Sequence, residues 1–368
     1  MSKICYFSIV LFSILFYSCK QEILKISEDK ALVFDGRIDK FADGTTLLIG
    51  SASSVSFGFT GDSCQVILQS IDSWEHHNYV SIVIDGIYQK RLKIEKGERK
   101  RYKIEIPTKA DTHQIQIFKA TEATTGNILF GGALVENFLL PKTRAKKRIE
   151  FIGNSITCGM GNDFIEIPCG KGEWFDQHNA YWAYGPILSR ELDTDFLLSS
   201  VSGIGMYRGW NDENIEEPNM PQVYENLYLT KQKSKPFHTT FQPDIVSICL
   251  GTNDLSDGDG IKPRLPFNDE KYIANYISFI NTIYKRYPKA QIVLLNSPML
   301  SGERNTILVG CLKKVLQHFE SDTTHKKIVL FEFQPMQPKG CTFHPDIEDH
   351  KIMAQQLSPL FKKLLDEK

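Results

Sequence analysis

Four short segments of the sequence carry residue types that are suited to acyl transfer. Ser155 follows a glycine and an asparagine, and Gly203 lies in a Ser-Gly-Ile-Gly turn. Asn253 follows Gly-Thr, and His344 precedes a proline near the C-terminus. A hydroxyl, an imidazole, an unobstructed backbone N–H and a carboxamide are the groups that nucleophilic attack on an ester requires. Each segment alone is explained better by turn or helix-cap chemistry, so the prediction depends on the coincidence of all four.

These segments form one site only if the intervening elements bring them together. From residue 149 onward, short buried strands alternate with amphipathic helices, which predicts a parallel sheet covered by helices on both faces. Ser155, Gly203 and Asn253 each come directly after a predicted strand, and His344 follows the last strand. Ligands bind beyond the carboxyl ends of such strands, so we expect the four residues at one edge of the sheet.

The preceding part of the chain, from about residue 33 to 140, has a different period. Apolar and polar residues alternate in many short runs, as at Val55, Phe57 and Phe59. An Asp-Gly pair at 85–86 joins two such runs and predicts a hairpin. The pattern predicts a β-sandwich of the jelly-roll type. We therefore assign residues 19–141 to this sandwich, 142–148 to a basic, solvated linker, and 149–368 to the α/β domain.

Composition excludes several classes of function. The chain has 368 residues, of which 42% are hydrophobic and 24% charged, and its formal net charge is −1. Such a balance argues against a disordered protein and provides no net positive field for nucleic acid. We expect a globular protein without a nucleic-acid partner.

The first residues have the pattern of a targeting segment. Lys3 precedes an almost unbroken apolar run at 4–17, which is shorter than the roughly 20 residues of a membrane-spanning helix. The run ends in Ser18-Cys19 and resembles the lipobox of bacterial lipoproteins. This predicts a signal peptide at 1–18, lipidation of Cys19 and export to the cell envelope, with membrane contact only through the lipid. An uncleaved anchor and an ordinary signal peptide are the alternatives.

Export permits disulfides, and the cysteine spacing suggests one pair. Cys158 and Cys169 flank a glycine-rich loop and could be bonded, but two free thiols explain the spacing equally well. Cys249 and Cys311 lie in apolar surroundings and are expected to be buried. No CxxC occurs, so a cysteine zinc site is not expected.

The four segments resemble the ordered blocks of the SGNH (GDSL-type) hydrolases. More narrowly, residues 151–161, preceded by a jelly-roll-like half, resemble carbohydrate esterase family 2. The similarity extends to residues 83–86, 119–122 and 183–185, and to His344, Pro345, His350, Met353 and Ala354. The resemblance therefore covers most of the chain after the targeting segment.

The resemblance implies a role for each residue of the four segments. Ser155 would be the nucleophile and His344 the general base and then the general acid. The N–H groups of Ser155 and Gly203, with the side chain of Asn253, would form the oxyanion hole. The implied reaction removes O-acetyl groups from plant polysaccharides such as acetylated xylan or mannan, and it requires no cofactor or metal. An esterase acting on acyl lipids or thioesters, and a catalytically silent glycan-binding lipoprotein, remain as alternatives.

Two positions depart from the SGNH pattern. Asn154 stands where these enzymes usually have aspartate, and it preserves size and hydrogen bonding. Cys341 stands three residues before the histidine, where an aspartate commonly orients the imidazole. Some members of carbohydrate esterase family 2 also lack this acid and work as a Ser–His pair. The orienting acceptor would then be a backbone carbonyl or another carboxylate, and the acids that follow the histidine are not assigned this role: Asp346, Glu348 and Asp349.

Other polar and aromatic residues receive structural interpretations. Trp174, Trp182 and Trp210 could stack on sugar rings or pack in the core. Asp254 is expected to be a structural hydrogen-bonding residue and His350 to support the last helix. His76 and His77 are assigned to a solvated loop rather than to a metal or sugar site.

Overall fold

The computed structural model describes residues 25–26, 29–72, 74–141, 147–231 and 235–367. The predicted signal peptide at 1–18, the lipidation site Cys19 and residues 142–146 of the predicted linker lie outside these ranges. Within them, no helix combines the length and apolar character needed to cross a membrane.

The N-terminal part of the chain forms an antiparallel sheet. The strands are β1 Lys25–Ile26, β2 Val33–Asp35, β3 Ile38–Lys40, β4 Thr46–Leu48, β5 Ser54–Ile71, β6 Asn78–Ile84, β7 Ile87–Ile94, β8 Lys100–Ile104, β9 Thr112–Lys119 and β10 Asn127–Leu139. The long strands β5 and β10 are paired along most of their length. Strands β2, β8 and β9 also pair with β5, and β1 and β4 pair with β10. Strand β6 lies between β9 and β7, and β3 pairs with β4.

Alternating residues of these strands enclose one apolar core. Val55, Phe57 and Phe59 of β5 are buried there together with apolar residues of the facing strands. The predicted hairpin joins β6 to β7 through Asp85 and Gly86, which have φ of 52° and 80°. Two consecutive positive φ values are those of the type I′ turn, which Asp-Gly favours.

The second part of the chain forms a five-stranded parallel sheet. Its strands are β11 Arg148–Gly153, β12 Asp195–Ser200, β13 Ile245–Cys249, β14 Gln291–Leu295 and β15 Val329–Phe331. Their order in the sheet is β12-β11-β13-β14-β15. The helices are α1 Ser155–Cys158, α2 Tyr184–Glu191, α3 Met220–Val223, α4 Asp269–Arg286, α5 Gly302–His318 and α6 Ile347–Asp366.

Helices cover both faces of this sheet. Val246 and Ile248 of β13 are buried in one core with α4 and α5, whereas Ile245 and Cys249 are buried in the other with α2 and α6. The sequence of β13, Ile-Val-Ser-Ile-Cys, is apolar except for Ser247, as is typical of a strand that is buried on both sides. The predicted fold, a β-sandwich followed by a three-layer α/β domain, is confirmed.

The two domains share a buried interface. Leu47 and Leu129 of the first domain pack with Leu197 and Phe237 of the second. Arg37 is fully buried, and its guanidinium donates to Ser199 Oγ at 3.0 Å and to two backbone carbonyls of the second domain. A buried guanidinium is stabilised only when its donors are satisfied, so this contact fixes the relative position of the domains.

Candidate active site

Ser155 is presented by a tight turn at the end of β11. The Asn154 side chain accepts from the N–H of Ile156 at 3.1 Å and caps the four-residue helix α1, so asparagine performs the expected hydrogen-bonding role. A Cβ on Gly153 would come within 2.0 Å of Thr157 Oγ1, which explains why glycine precedes this turn. Ser155 thereby lies in the wall of a cleft, although it is only 6% exposed.

His344 is hydrogen-bonded to this serine. Its Nε2 lies 2.8 Å from Ser155 Oγ, and its Nδ1 lies 2.8 Å from the carbonyl oxygen of Thr342. A carbonyl can only accept, so we assign the proton to Nδ1, which leaves Nε2 to accept from the hydroxyl. Burial lowers the pKa of His344 below its ordinary value, against the opposing influence of the Thr342 carbonyl and Glu122. The imidazole is therefore neutral at pH 7 and able to act as a base.

The backbone before His344 has an unusual conformation. Thr342 has φ 52° and ψ 40°, and Phe343 has φ 59°. Two successive non-glycine residues in the left-handed region are uncommon, and such conformations persist only where surrounding contacts impose them. Here the turn directs the Thr342 carbonyl back to the ring of His344.

The carboxylates that follow His344 have other partners. The side chains of Asp346 and Asp349 form a reciprocal capping box at the start of α6, with hydrogen bonds of 2.8 and 3.2 Å to each other's backbone N–H. Glu348 is paired with Lys351 at 2.7 Å. The group that orients His344 is therefore the Thr342 carbonyl, one of the two kinds of acceptor that the sequence left open.

Both arrangements considered for Cys158 and Cys169, a bond between them and two free thiols, are wrong. Cys169 is bonded to Cys341, which lies 172 positions later in the chain and three residues before His344. Cys158 is a free thiol that is fully buried at the end of α1, and burial raises its pKa. Proximity in sequence failed as a guide because the loop that contains Cys169 folds towards the turn of His344 rather than back onto α1. Cys249 and Cys311 are buried free thiols, as expected.

The expected oxyanion donors come from the two strands that flank β11. Gly203 follows β12, has φ 75°, and has no room for a Cβ, which would meet Trp210 Cδ1 at 2.8 Å. Asn253 follows β13, and its Nδ2 donates to the carbonyl of Ile204 at 2.7 Å. An amide nitrogen has two hydrogens, so a second remains for a ligand. Both residues line the same cleft as Ser155 and His344.

Asp254 supports the loop after β12. Its carboxylate is fully buried and accepts from the backbone N–H groups of Met206, Tyr207 and Arg208 at 2.8–3.3 Å. Burial raises the pKa of Asp254 to about 6. This is the structural role expected from the sequence.

The cleft is large and has exposed aromatic walls. Its volume is about 1220 Å³, and both domains contribute to its lining. Trp74 of the first domain and Trp174 and Trp210 of the second line it and are 73%, 49% and 41% exposed. Exposed indole faces are suited to stacking against sugar rings. Trp182 instead packs against Tyr88 and Tyr181.

Several contacts at the site were not predicted from the sequence. Glu122 of the first domain lines the cleft and accepts from the N–H of Ser202 at 2.7 Å. Trp74 was not a candidate because its segment had the composition of a solvated loop. The Thr342 carbonyl could not be predicted, because a backbone acceptor leaves no residue signature.

The three other histidines singled out from the sequence, His76, His77 and His350, have structural partners. His77 lies 2.6 Å from Asp176 and thereby links the two domains, and His76 lies 3.3 Å from Asp72. The buried His350 accepts from the backbone N–H of Tyr184 at 3.2 Å, which ties α6 to α2. His350 thus supports the last helix, as expected.

Comparison with known proteins identifies the family. Residues 34–142 match the carbohydrate esterase 2 N-terminal family. Residues 151–345, which are more than half of the chain, match the GDSL-like lipase/acylhydrolase family. The chain belongs to the GDSL-like lipase/acylhydrolase family. It is an esterase with the two-domain organisation of carbohydrate esterase family 2.

Similar proteins extend over nearly the whole of this GDSL-like esterase. An acetylxylan esterase / glucomannan deacetylase from Cellvibrio japonicus is 25% identical over 328 residues, which are 86% of this chain and 87% of that protein. The structure of a family two carbohydrate esterase from the same organism covers 94% of this chain and 98% of its own, with a TM-score of 0.80 and 23% identity. That of a family two carbohydrate esterase from Clostridium thermocellum in complex with cellohexaose covers 90% and 98%, with a TM-score of 0.78 and 24% identity.

Proposed function

We propose that the protein removes O-acetyl groups from plant polysaccharides such as acetylated xylan or mannan, with Ser155 as nucleophile and His344 as base. The observation that carries the proposal is the 2.8 Å hydrogen bond between Ser155 Oγ and His344 Nε2 in the wall of an open cleft. The names of the relatives support the substrate class, and the exposed tryptophans of the cleft support a sugar polymer.

Acylation begins with the attack of Ser155 Oγ on the acetyl carbonyl. His344 Nε2 takes the hydroxyl proton as the C–O bond forms, and the carbonyl π electrons move to oxygen. The N–H groups of Ser155 and Gly203 and the Asn253 amide donate to this oxyanion. His344 then gives its proton to the sugar oxygen as the ester bond breaks, which leaves acetyl-Ser155.

Deacylation repeats these steps with water. His344 takes a proton from the attacking water, the same donors hold the second oxyanion, and the proton returns to Ser155 Oγ as acetate leaves. During both half-reactions the Thr342 carbonyl accepts a hydrogen bond from the Nδ1–H of His344, which keeps Nε2 directed at the reacting oxygen.

Acetate release from acetylated xylan and acetylated glucomannan tests the proposal. The wild type should release acetate, whereas Ser155→Ala should lose at least about 1000-fold of the rate because no nucleophile remains. His344→Gln should lose a similar factor, and Ser189→Ala, a buried serine of α2, serves as the matched control. Equal release by wild type and Ser155→Ala would overturn the proposal.

The same panel separates the two alternatives. A lipid esterase would hydrolyse 4-nitrophenyl palmitate faster than the acetate. A silent glycan-binding protein would bind the polymers and release no acetate. Either result would contradict the proposal.

We also propose that the chain is exported and lipidated at Cys19. The charged residue, the short apolar run and the cysteine that follows it support this proposal. In a bacterial host supplied with an alkyne-tagged fatty acid, the wild type should be labelled and Cys19→Ser should not. Equal labelling of both would contradict it.

A further inference from the structure

Glu122 is a buried carboxylate of the first domain that lies in the wall of the active-site cleft. It follows β9 and precedes a short 3-10 turn at Ala123–Thr125. The residue is 0% exposed, and it lines the same cleft as Ser155 and His344. A carboxylate is costly to bury unless its oxygens are hydrogen-bonded, so its partners indicate what it does.

Both carboxylate oxygens have donors. Oε1 accepts from Thr124 Oγ1 at 2.5 Å, and Oε2 accepts from the backbone N–H of Ser202 at 2.7 Å. The backbone carbonyl of Glu122 accepts from Lys119 Nζ at 2.5 Å and from Thr125 Oγ1 at 2.8 Å. The bonds from Lys119, Thr124 and Thr125 anchor Glu122 within the first domain. Its Oε2 accepts from the second domain, at Ser202.

The hydrogen bond from the Ser202 N–H to Glu122 is made one residue before Gly203, an expected oxyanion donor. Ser202 directly precedes Gly203, whose carbonyl accepts from the N–H of Trp210 at 2.9 Å. The turn is thus held on one side by Glu122 and on the other by Trp210. The N–H of Gly203 lies between these two anchors, and oxyanion stabilisation depends on how accurately such a donor is held.

Lys119 compensates the charge of Glu122 only in part. Burial lowers the pKa of Lys119 to about 7, so near neutral pH this amine carries only part of a positive charge. Asp72 adds a further negative charge beside Lys119. Burial and the Glu122 charge raise the pKa of the Cys158 thiol, which is neutral.

Three of the groups that interact with His344 are uncharged. Burial lowers the pKa of His178 well below its ordinary value and that of His350 to about 3, so both are neutral imidazoles. The Thr342 carbonyl is an uncharged acceptor. The negative charge of Glu122 raises the pKa of His344 and so favours its protonated form, which arises during the reaction.

We propose that Glu122 is a positioning residue that the first domain supplies to the catalytic site: it fixes the Ser202–Gly203 turn for oxyanion binding and places a negative charge near His344. This inference rests on the proposed function of Ser155 and His344. It gives the first domain a part in the chemistry, and it partly replaces the carboxylate that is missing at position 341.

Glu122→Gln and Glu122→Asp test the two parts of this role with 4-nitrophenyl acetate as substrate. Glu122→Gln removes the charge at almost constant size, so kcat should fall about tenfold with KM unchanged. The acid limb of kcat/KM should move to lower pH, because His344 loses the charge that raises its pKa. Glu122→Asp retains the charge but is shorter, so kcat should fall while the acid limb stays in place.

Glu105→Gln, at an exposed position of the first domain, is the matched control and should behave as the wild type. A folded Glu122→Gln with wild-type kcat and acid limb would overturn the inference, as would a lower kcat with an unmoved acid limb. If Glu122→Gln does not fold, Glu122→Asp decides: an unchanged kcat or a moved acid limb would overturn it. Ser155→Ala in the same series separates the hypotheses, because wild-type activity in that variant would instead overturn the proposed function.

Discussion

At the residue scale, the base of the proposed dyad is a histidine whose Nδ1 proton is held by a peptide carbonyl. Such an acceptor selects the same tautomer as an aspartate but contributes no full charge. Because the acceptor belongs to the backbone, its position depends on the left-handed turn at Thr342 and Phe343. The side chain of Thr342 should therefore matter less than its conformation.

Substitutions at Thr342 can separate these two contributions. Thr342→Ala removes the hydroxyl, which lies 3.3 Å from Nδ1, and keeps the carbonyl, so kcat should stay within about threefold of the wild type. Thr342→Pro cannot adopt φ 52°, so it should displace the carbonyl and lower kcat at least about 100-fold. Steady-state kinetics with 4-nitrophenyl acetate measure both, and a large loss in Thr342→Ala would show that the hydroxyl orients the ring.

The pH profile reports the protonation of His344. Burial lowers its pKa, and the reaction requires the neutral ring, so activity is lost only when the pH falls through this lowered value. The acid limb of kcat/KM should therefore have its midpoint below 6.5, the ordinary value for histidine. A midpoint above this value, measured on folded protein, would contradict the assignment of a buried neutral base.

At the element scale, the site is built from loops at the carboxyl edge of the parallel sheet. The order β12-β11-β13 places the turn of Ser155 between the loops of Gly203 and Asn253. This is the point where the strand order reverses, at which such sheets bind ligands. The loop that precedes α6 adds His344 and is covalently joined to the loop of Cys169.

Reduction of the Cys169–Cys341 disulfide should affect both stability and activity. The bond closes a long loop, so its loss should lower the free energy of unfolding by about 2–5 kcal/mol. It should also lower kcat, because Cys341 lies in the turn that positions His344. Urea unfolding and kinetics with and without dithiothreitol measure the two effects, and the double variant Cys169→Ser/Cys341→Ser should be insensitive to the reductant. Wild-type stability that does not change after verified reduction would contradict this role.

The strands and helices could be predicted from the sequence because the spacing of apolar residues that indicates them is a local property of the chain. The alternation of buried strands and amphipathic helices after residue 149 was expected, and the strand Ile245–Cys249 and the helix Asp269–Arg286 are examples of it. The disulfide could not be predicted, because its cysteines lie 172 positions apart and meet only through the tertiary packing of two loops. The contact of Glu122 with Ser202 escaped prediction for the same reason, because it joins two domains.

At the scale of the whole molecule, the cleft is formed by both domains and not by the α/β domain alone. Trp74 and Glu122 come from the sandwich, whereas Trp174 and Trp210 come from the α/β domain. The buried Arg37 and the apolar cluster that includes Leu47 and Phe237 join the two domains and so fix the position of one cleft wall relative to the other. We therefore expect the sandwich to contribute to recognition of the polymer.

Replacement of Trp74 tests this contribution. Trp74→Ala should raise KM for acetylated xylan or glucomannan about tenfold, because an exposed indole that can stack on a sugar is lost. It should leave kcat/KM for 4-nitrophenyl acetate unchanged, because this small ester has no sugar ring on which the indole could stack. Ile87→Ala, at an exposed position of the same domain, is the control. An unchanged KM for every polymer tested would show that the sandwich does not bind the chain of sugars through this residue.

The central claim is that Ser155 is a nucleophile activated by His344, and active-site labelling tests it most directly. The wild type is treated with a fluorophosphonate, and the modified peptide is located by mass spectrometry. We expect one phosphonyl group on Ser155, no modification of Ser155→Ala, and labelling of His344→Gln slower by at least about 100-fold. Labelling at another residue, or an undiminished rate in His344→Gln, would contradict the account.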